Sequence, residues 1–131
     1  MTNGEPLQPV LLDSVILIDH FNNIAAATDY LSDVREIAAI SAITRAEVLT
    51  GFDSADEVTA AKLLDRFRLL PIGAEVADLA ARLRREHGWK LPDAFQAAVA
   101  GHHGLDLATR NTRDFPPDRF DFVTVPYRIK H

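Results

Sequence analysis

Apolar residues recur along this chain with two different periods. Val10, Leu11 and Leu12 form an unbroken apolar triplet closed by Asp13, the pattern of a strand buried on both faces. Val15 to Ile18 follow and read as a helix opening directly after that strand, with Asp19 next. Ala25, Ala26, Tyr30, Leu31 and Val34 repeat at helical spacing, and Ile37 to Ile40 is a second buried-strand candidate. Ser41 follows it; Thr44 and Glu47 stand at capping-box spacing, which predicts a helix running to Leu49 and stopping at Gly51. Ala55 to Phe67 is amphipathic, with Val58, Ala61, Leu64 and Phe67 on one side, and Arg68 to Ile72 is a third strand candidate. Val76, Leu79, Ala80 and Leu83 mark a helix over 74–85 that ends near Gly88. Leu91, Pro92 and Asp93 open another through Ala100, with Pro92 suited to the first turn. Leu105 to Ala108 and Phe122 to Val125 are short closing strands.

Short apolar strands alternating with amphipathic helices predict an α/β fold, a three-layer α/β/α sandwich around a mostly parallel sheet of about five strands. No repeat, low-complexity tract or linker divides the sequence, so residues 1–131 are expected to form one domain.

Composition narrows the function classes. An apolar fraction of 47% is ordinary for a globular protein, and no apolar run approaches the roughly 20 residues needed to span a bilayer. Met1 to Pro9 carries Glu5 and no basic cluster, unlike a secretory signal. The absence of cysteine gives no sign of an oxidising compartment, so a cytoplasmic location is expected. The net charge of −5 weighs against nucleic-acid binding. Its distribution softens that objection: residues 1–61 hold ten acids and two arginines, whereas residues 62–131 hold twelve basic groups and nine acids. Arg82, Arg84, Arg85, Lys90, Arg110, Arg113, Arg119, Arg128 and Lys130 all fall late, where they serve either a phosphate backbone or plain solvation.

In open parallel sheets, ligands bind beyond the carboxyl ends of the strands. Asp13 ends the first strand, Glu47 lies shortly after the second, Asp93 opens a helix, and Asn111 and Asp114 follow the fourth strand. Carboxylates held together repel unless a cation neutralises them, and an oxygen-rich set suits Mg²⁺ or Mn²⁺. Each residue also has a structural role open to it. Asp13 suits an N-cap, Asp93 a first-turn acid, Glu47 the capping-box partner of Thr44, Asp114 a turn before Phe115-Pro116-Pro117, and Asp19 the surface.

The local motifs decide between those roles. LLDSVILID, ISAITRAEVLTG and LPDAFQAAVAGHHGLDLATRNTRDF, in this order and spacing, resemble the motif series of PIN-domain proteins, specifically VapC-type toxins, over essentially the whole chain. The resemblance implies a PIN-like fold and a metal-dependent endoribonuclease, the toxin of a type II toxin-antitoxin system. It implies that Asp13, Glu47 and Asp93 form the metal site, with Asp13 and Asp93 as direct ligands. The family's fourth acid falls on Asn111, where many members carry Asp, and Asp114 is then the nearest carboxylate. Val15 is a second departure, standing where members commonly carry Asn or Ser. Ser14 and Thr109 are candidate hydroxyl contacts to the metal surroundings or a scissile phosphate, and Arg110 and Arg113 are candidate phosphate holders. The resemblance further implies an RNA substrate, a small VapB-like antitoxin that lays a peptide across the acidic groove, and a homodimer. Phe52, Leu64 and Phe67 are candidate dimer or antitoxin surfaces as well as candidate core.

Other classes fit less well. The five histidines show no zinc-ligand spacing, no Ser or Cys nucleophile has a partnered base, and no Gly-rich phosphate loop occurs. A receiver-like phospho-acceptor domain would pair acids early, whereas Asp13 stands alone and Glu47 and TRNTRDF have no place in that scheme. A catalytically silent PIN-like binding module is the remaining alternative.

Overall fold

The computed structural model describes residues 8–129. The first seven residues, part of the stretch read as unlike a secretory signal, and the terminal Lys130 and His131 lie outside them. Five strands form one sheet: β1 (Val10–Leu12), β2 (Ala38–Ser41), β3 (Arg68–Leu70), β4 (Asp106–Ala108) and β5 (Val123–Thr124). Their order is β3-β2-β1-β4-β5 and every pairing is parallel. The sheet is therefore wholly parallel, as the unbroken apolar runs of its inner strands require. Side chains alternate between its faces. Leu11, Ala39, Leu70 and Leu107 point into one core with Trp89 and Phe115, whereas Val10, Leu12, Ala38 and Ile40 point into another with Leu17 and Leu31. Two cores on opposite faces make the expected three-layer sandwich.

The helices are α1 (Ser14–Phe21), α2 (Ala25–Val34), α3 (Ala42–Thr50), α4 (Ser54–Leu64), α5 (Ala74–His87) and α6 (Leu91–His103). Two helices separate each of β1 from β2, β2 from β3, and β3 from β4. The chain winds outward from β1 through β2 to β3, then returns past β1 to β4. The order reverses between β1 and β4, and the crevice outside the strand ends at such a point is where sheets of this kind bind ligands.

Two local expectations differ from the structure. The capping box of Thr44 and Glu47 does not form, because α3 starts one turn earlier: Ser41 is its N-cap and accepts from Thr44 N–H at 3.1 Å. Thr44 thus sits inside the helix, buried, with its hydroxyl donating to the Leu12 carbonyl at 3.2 Å. On α4 the buried face is Ala60 and Leu64, while Val58 is 58% exposed. Spacing by threes drifts off a helical face, and Asp53 capping Ala55 and Asp56 sets the phase. Leu64 and Phe67 are core side chains and are removed from the candidate partner surfaces; Phe52 is half-buried, edge-on to Phe21 at 4.9 Å.

Candidate active site

Asp13 lies where β1 hands over to α1. Its N–H donates to the Ala108 carbonyl at 2.9 Å, extending the β1–β4 ladder by one bond, and its carboxylate caps α1 by accepting from Ser14 N–H at 2.9 Å. Capping and chemistry are compatible here, since one oxygen still has other lone pairs to offer. The carboxylate is buried at 6% exposure. Thr109, on the segment after β4, donates to Oδ2 at 2.6 Å, and the Gln96 amide donates to Oδ1 at 3.3 Å. Burial raises the pKa of Asp13, and the bonds from Thr109, Ser14 and Gln96 oppose that rise.

Asp93 sits in the first turn of α6, half-buried. Desolvation, then the charges of Asp13, Asp114 and Glu47, push it up to about 6, with Lys90 pulling the other way. Glu47 stands at the rim on α3, open to solvent. Partial desolvation raises its pKa, opposed by the Ser14 hydroxyl and reinforced by the Asp13 charge. Strand ends β1 and β4 and the helices α3 and α6 thus bring Asp13, Glu47, Asp93 and Asp114 within electrostatic reach of one another.

The segment after β4 folds on itself. Asn111 N–H donates to Thr109 Oγ1 at 3.0 Å, and Asn111 Nδ2 donates to Asp114 Oδ2 at 3.1 Å. Asn111 therefore contributes by orienting the carboxylate three residues later. Trp89 Nε1 donates to the Asp114 carbonyl at 2.9 Å and ties this segment to the loop between α5 and α6. Arg113 is exposed, whereas Arg110 turns inward. Its Nε and Nη2 grip both oxygens of Asp19, at 2.6 and 2.8 Å, and Tyr127 donates to the same carboxylate at 2.7 Å. Asp19 is 5% exposed, so the expectation that favoured the surface for it is corrected. A guanidinium that matches it bidentately supplies the charge that lets a carboxylate be buried. Burial pushes the Asp19 carboxyl up, but Arg110 and Tyr127 outweigh it and hold the group below its ordinary value.

Gln96 escapes motif reading altogether. It is a single polar residue among Phe95, Ala97, Ala98, Val99 and Ala100, buried at 1% exposure. A lone amide in so apolar a stretch is the signal that marks it, because burying one is costly unless its bonds are made. Two of the histidines have local partners: His87 stacks on Trp89 at 4.4 Å, and His20 pairs with Thr28 at 2.8 Å, while His102 and His103 are exposed.

Among the described residues, no three carboxylate or imidazole groups converge as a ready coordination sphere. The donor chemistry nevertheless fits a hard divalent cation. Every candidate donor is oxygen, and the desolvation and mutual repulsion that together lift Asp93 to about 6 are what such a cation offsets.

Residues 10–121 match the PIN domain family. The chain is 34% identical over 127 residues to Ribonuclease VapC10 of Mycobacterium tuberculosis, covering 92% of this chain and 94% of that protein. Among solved structures it is similar to a toxin-antitoxin complex from Klebsiella pneumoniae, with a TM-score of 0.84 and 37% identity over 92% of this chain and 99% of that one. FitAcB from Neisseria gonorrhoeae aligns with a TM-score of 0.73 and 26% identity, over 92% of this chain and 99% of that one. With the motifs, the fold and these relatives in agreement, the chain belongs to the PIN domain family, in its VapC group.

Proposed function

We propose that the protein is a metal-dependent endoribonuclease of the cytoplasm, the toxin of a type II toxin-antitoxin pair, which hydrolyses phosphodiester bonds in RNA. The convergence of four carboxylates at the sheet's reversal point, where desolvation and their mutual repulsion lift Asp93 to about 6, carries this reading. The relatives support it: one is named a ribonuclease and another a toxin-antitoxin complex. Asp13 and Asp93 would hold Mg²⁺ or Mn²⁺, with Glu47 beside them. When bound, such an ion supplies a lowered water pKa and offsets charge on the phosphoryl oxygens.

The chain's own groups do the rest. Thr109 and the Ser14 N–H keep the Asp13 carboxylate oriented towards the crevice. Glu47, at the rim and with a raised pKa, would orient the attacking water and receive its proton. Asn111 holds Asp114 so that both line the polar wall. Arg113, exposed beside them, meets a substrate phosphate, as does the Ser14 hydroxyl; Arg110 supports the same wall through its grip on Asp19. The partner that restrains this activity is a VapB-like antitoxin, whose arginine would face Asp13 and Asp93, and the working form is a homodimer. Sedimentation should show that dimer at micromolar concentration; a strict monomer at high micromolar concentration counts against it.

End-mapping of total RNA after brief induction of the wild type and of Asp93→Ala tests the function in cells. One or a few new ends, confined to the wild type and lying in single-stranded loops, are expected. Equal growth arrest from folded Asp93→Ala, with no new ends from either protein, would instead favour a silent binding module.

A further inference from the structure

Gln96 occupies the middle of a buried polar network that joins three elements. Its Nε2 lies 2.6 Å from Thr44 Oγ1 and 3.3 Å from Asp13 Oδ1, and its Oε1 lies 2.7 Å from Ser41 Oγ. The direction of every proton follows from the backbone partners. Ser41 Oγ accepts from Thr44 N–H, so the serine proton goes to Gln96 Oε1. The Thr44 hydroxyl donates to the Leu12 carbonyl, so its oxygen must accept, and the amide nitrogen faces it. One amide proton then remains, and it is directed at Asp13. All polar atoms are satisfied, and no buried side-chain donor or acceptor among the described residues lacks a partner.

The placement bears on the crevice. On α6, Gln96 follows Asp93 by three residues; on α3, Thr44 precedes Glu47 by three. Residues three apart on a helix share a face, so the bridge between Gln96 and Thr44 lies one turn from the carboxylates that α6 and α3 carry. We infer that Gln96 is a positioning residue, whose amide sets the orientation of the Asp13 carboxylate and the spacing of α3 from α6, and thereby the spacing of Asp13, Glu47 and Asp93. Its role in metal binding rests on the nuclease reading above; its role in geometry does not. An apolar residue of similar length would fill the same space and leave Asp13 Oδ1 with the Ser14 N–H alone.

The test compares Gln96→Met, Val99→Ala and wild type. Val99 is a fully buried neighbour on α6 with no part in the network, so its truncation reports a merely structural loss of stability. Calorimetric titration with Mn²⁺ on folded protein should show affinity weakened about tenfold or more in Gln96→Met and unchanged in Val99→Ala, even where the two melt at similar temperatures. A crystal structure of Gln96→Met should show the Asp13 carboxylate rotated or α3 shifted from α6. Wild-type Mn²⁺ affinity in folded Gln96→Met, or an unmoved Asp13 and unmoved helices in its structure, would overturn the inference. Should Gln96→Met fail to fold, Thr44→Val, which removes the same bridge from the α3 side, takes its place under the same criteria. Absence of Mn²⁺ binding by the wild type would defeat the nuclease reading, and the crystal structure would then judge the positioning role by itself.

Discussion

Asp93 gains its charge in the folded protein against desolvation first and then the fields of three other carboxylates. Its pKa rises from the ordinary 3.8 to about 6, so between those values the native state holds a proton that the unfolded chain has lost. Stability from this group is therefore fully present below about pH 4 and declines as pH rises to about 6. Asp93→Asn removes that cost. In chelator-treated protein at pH 7 it should melt a few degrees above wild type, a gain on the order of 1 kcal/mol once solvent screening of a half-buried group is allowed for. At pH 4 the difference should vanish. Thermal melts at the two pH values check this; a wild type more stable than Asp93→Asn at pH 7 without metal would show that the carboxylates do not repel as described. Added Mn²⁺ should reverse the order at pH 7, because only the wild type gains binding energy from the ion.

Elements in this fold are tied together by contacts that local pattern does not reveal. Asp19 lies on α1, Arg110 after β4, and Tyr127 in the segment beyond β5, yet the three side chains make one buried cluster. Nothing within a few residues of Asp19 distinguishes it from a surface acid, because its partner stands 91 positions away. Removing Arg110 leaves the Asp19 charge buried with Tyr127 alone, so Arg110→Ala should cost about 3 kcal/mol. A double-mutant cycle with Asp19→Asn should return much less than the sum of the two single losses. Additive losses in denaturant unfolding would contradict the pairing. Helix ends were more legible: Gly51 and Gly88 mark the ends of α3 and α5 as expected. Gly88 is left-handed at φ 72°, so Gly88→Ala should destabilise by about 1 kcal/mol through backbone strain alone, as its Cβ would meet no atom within 4 Å. Unfolding midpoints equal to wild type would show that α5 does not need its terminal turn. The α4 face was less legible, because an exposed Val58 looks in sequence like any buried valine.

At the scale of the whole molecule, alternation of apolar triplets with helical stripes was enough to foresee the parallel sheet. The positions of Asp13, at a strand end, and Asp93, at a helix start, could be foreseen from motif spacing; Glu47, in the middle of α3, and Asp114, in the loop after β4, were marked by their motifs alone. What escaped was the support around them: Gln96, the inward turn of Arg110, and the tie from Trp89 to the Asp114 carbonyl. Those bonds join residues distant in sequence, so the partners carry no local mark, although the lone amide of Gln96 in its apolar stretch is itself a signal. The central claim is that this supported cluster of carboxylates cuts RNA with the help of a divalent ion. Incubation of the purified protein with end-labelled single-stranded RNA, with Mn²⁺ and with chelator, tests it directly. The account predicts discrete fragments with Mn²⁺ from the wild type, none with chelator, and none from folded Asp13→Asn or Asp93→Asn. Cleavage that persists with chelator, or that survives in either variant, would contradict it.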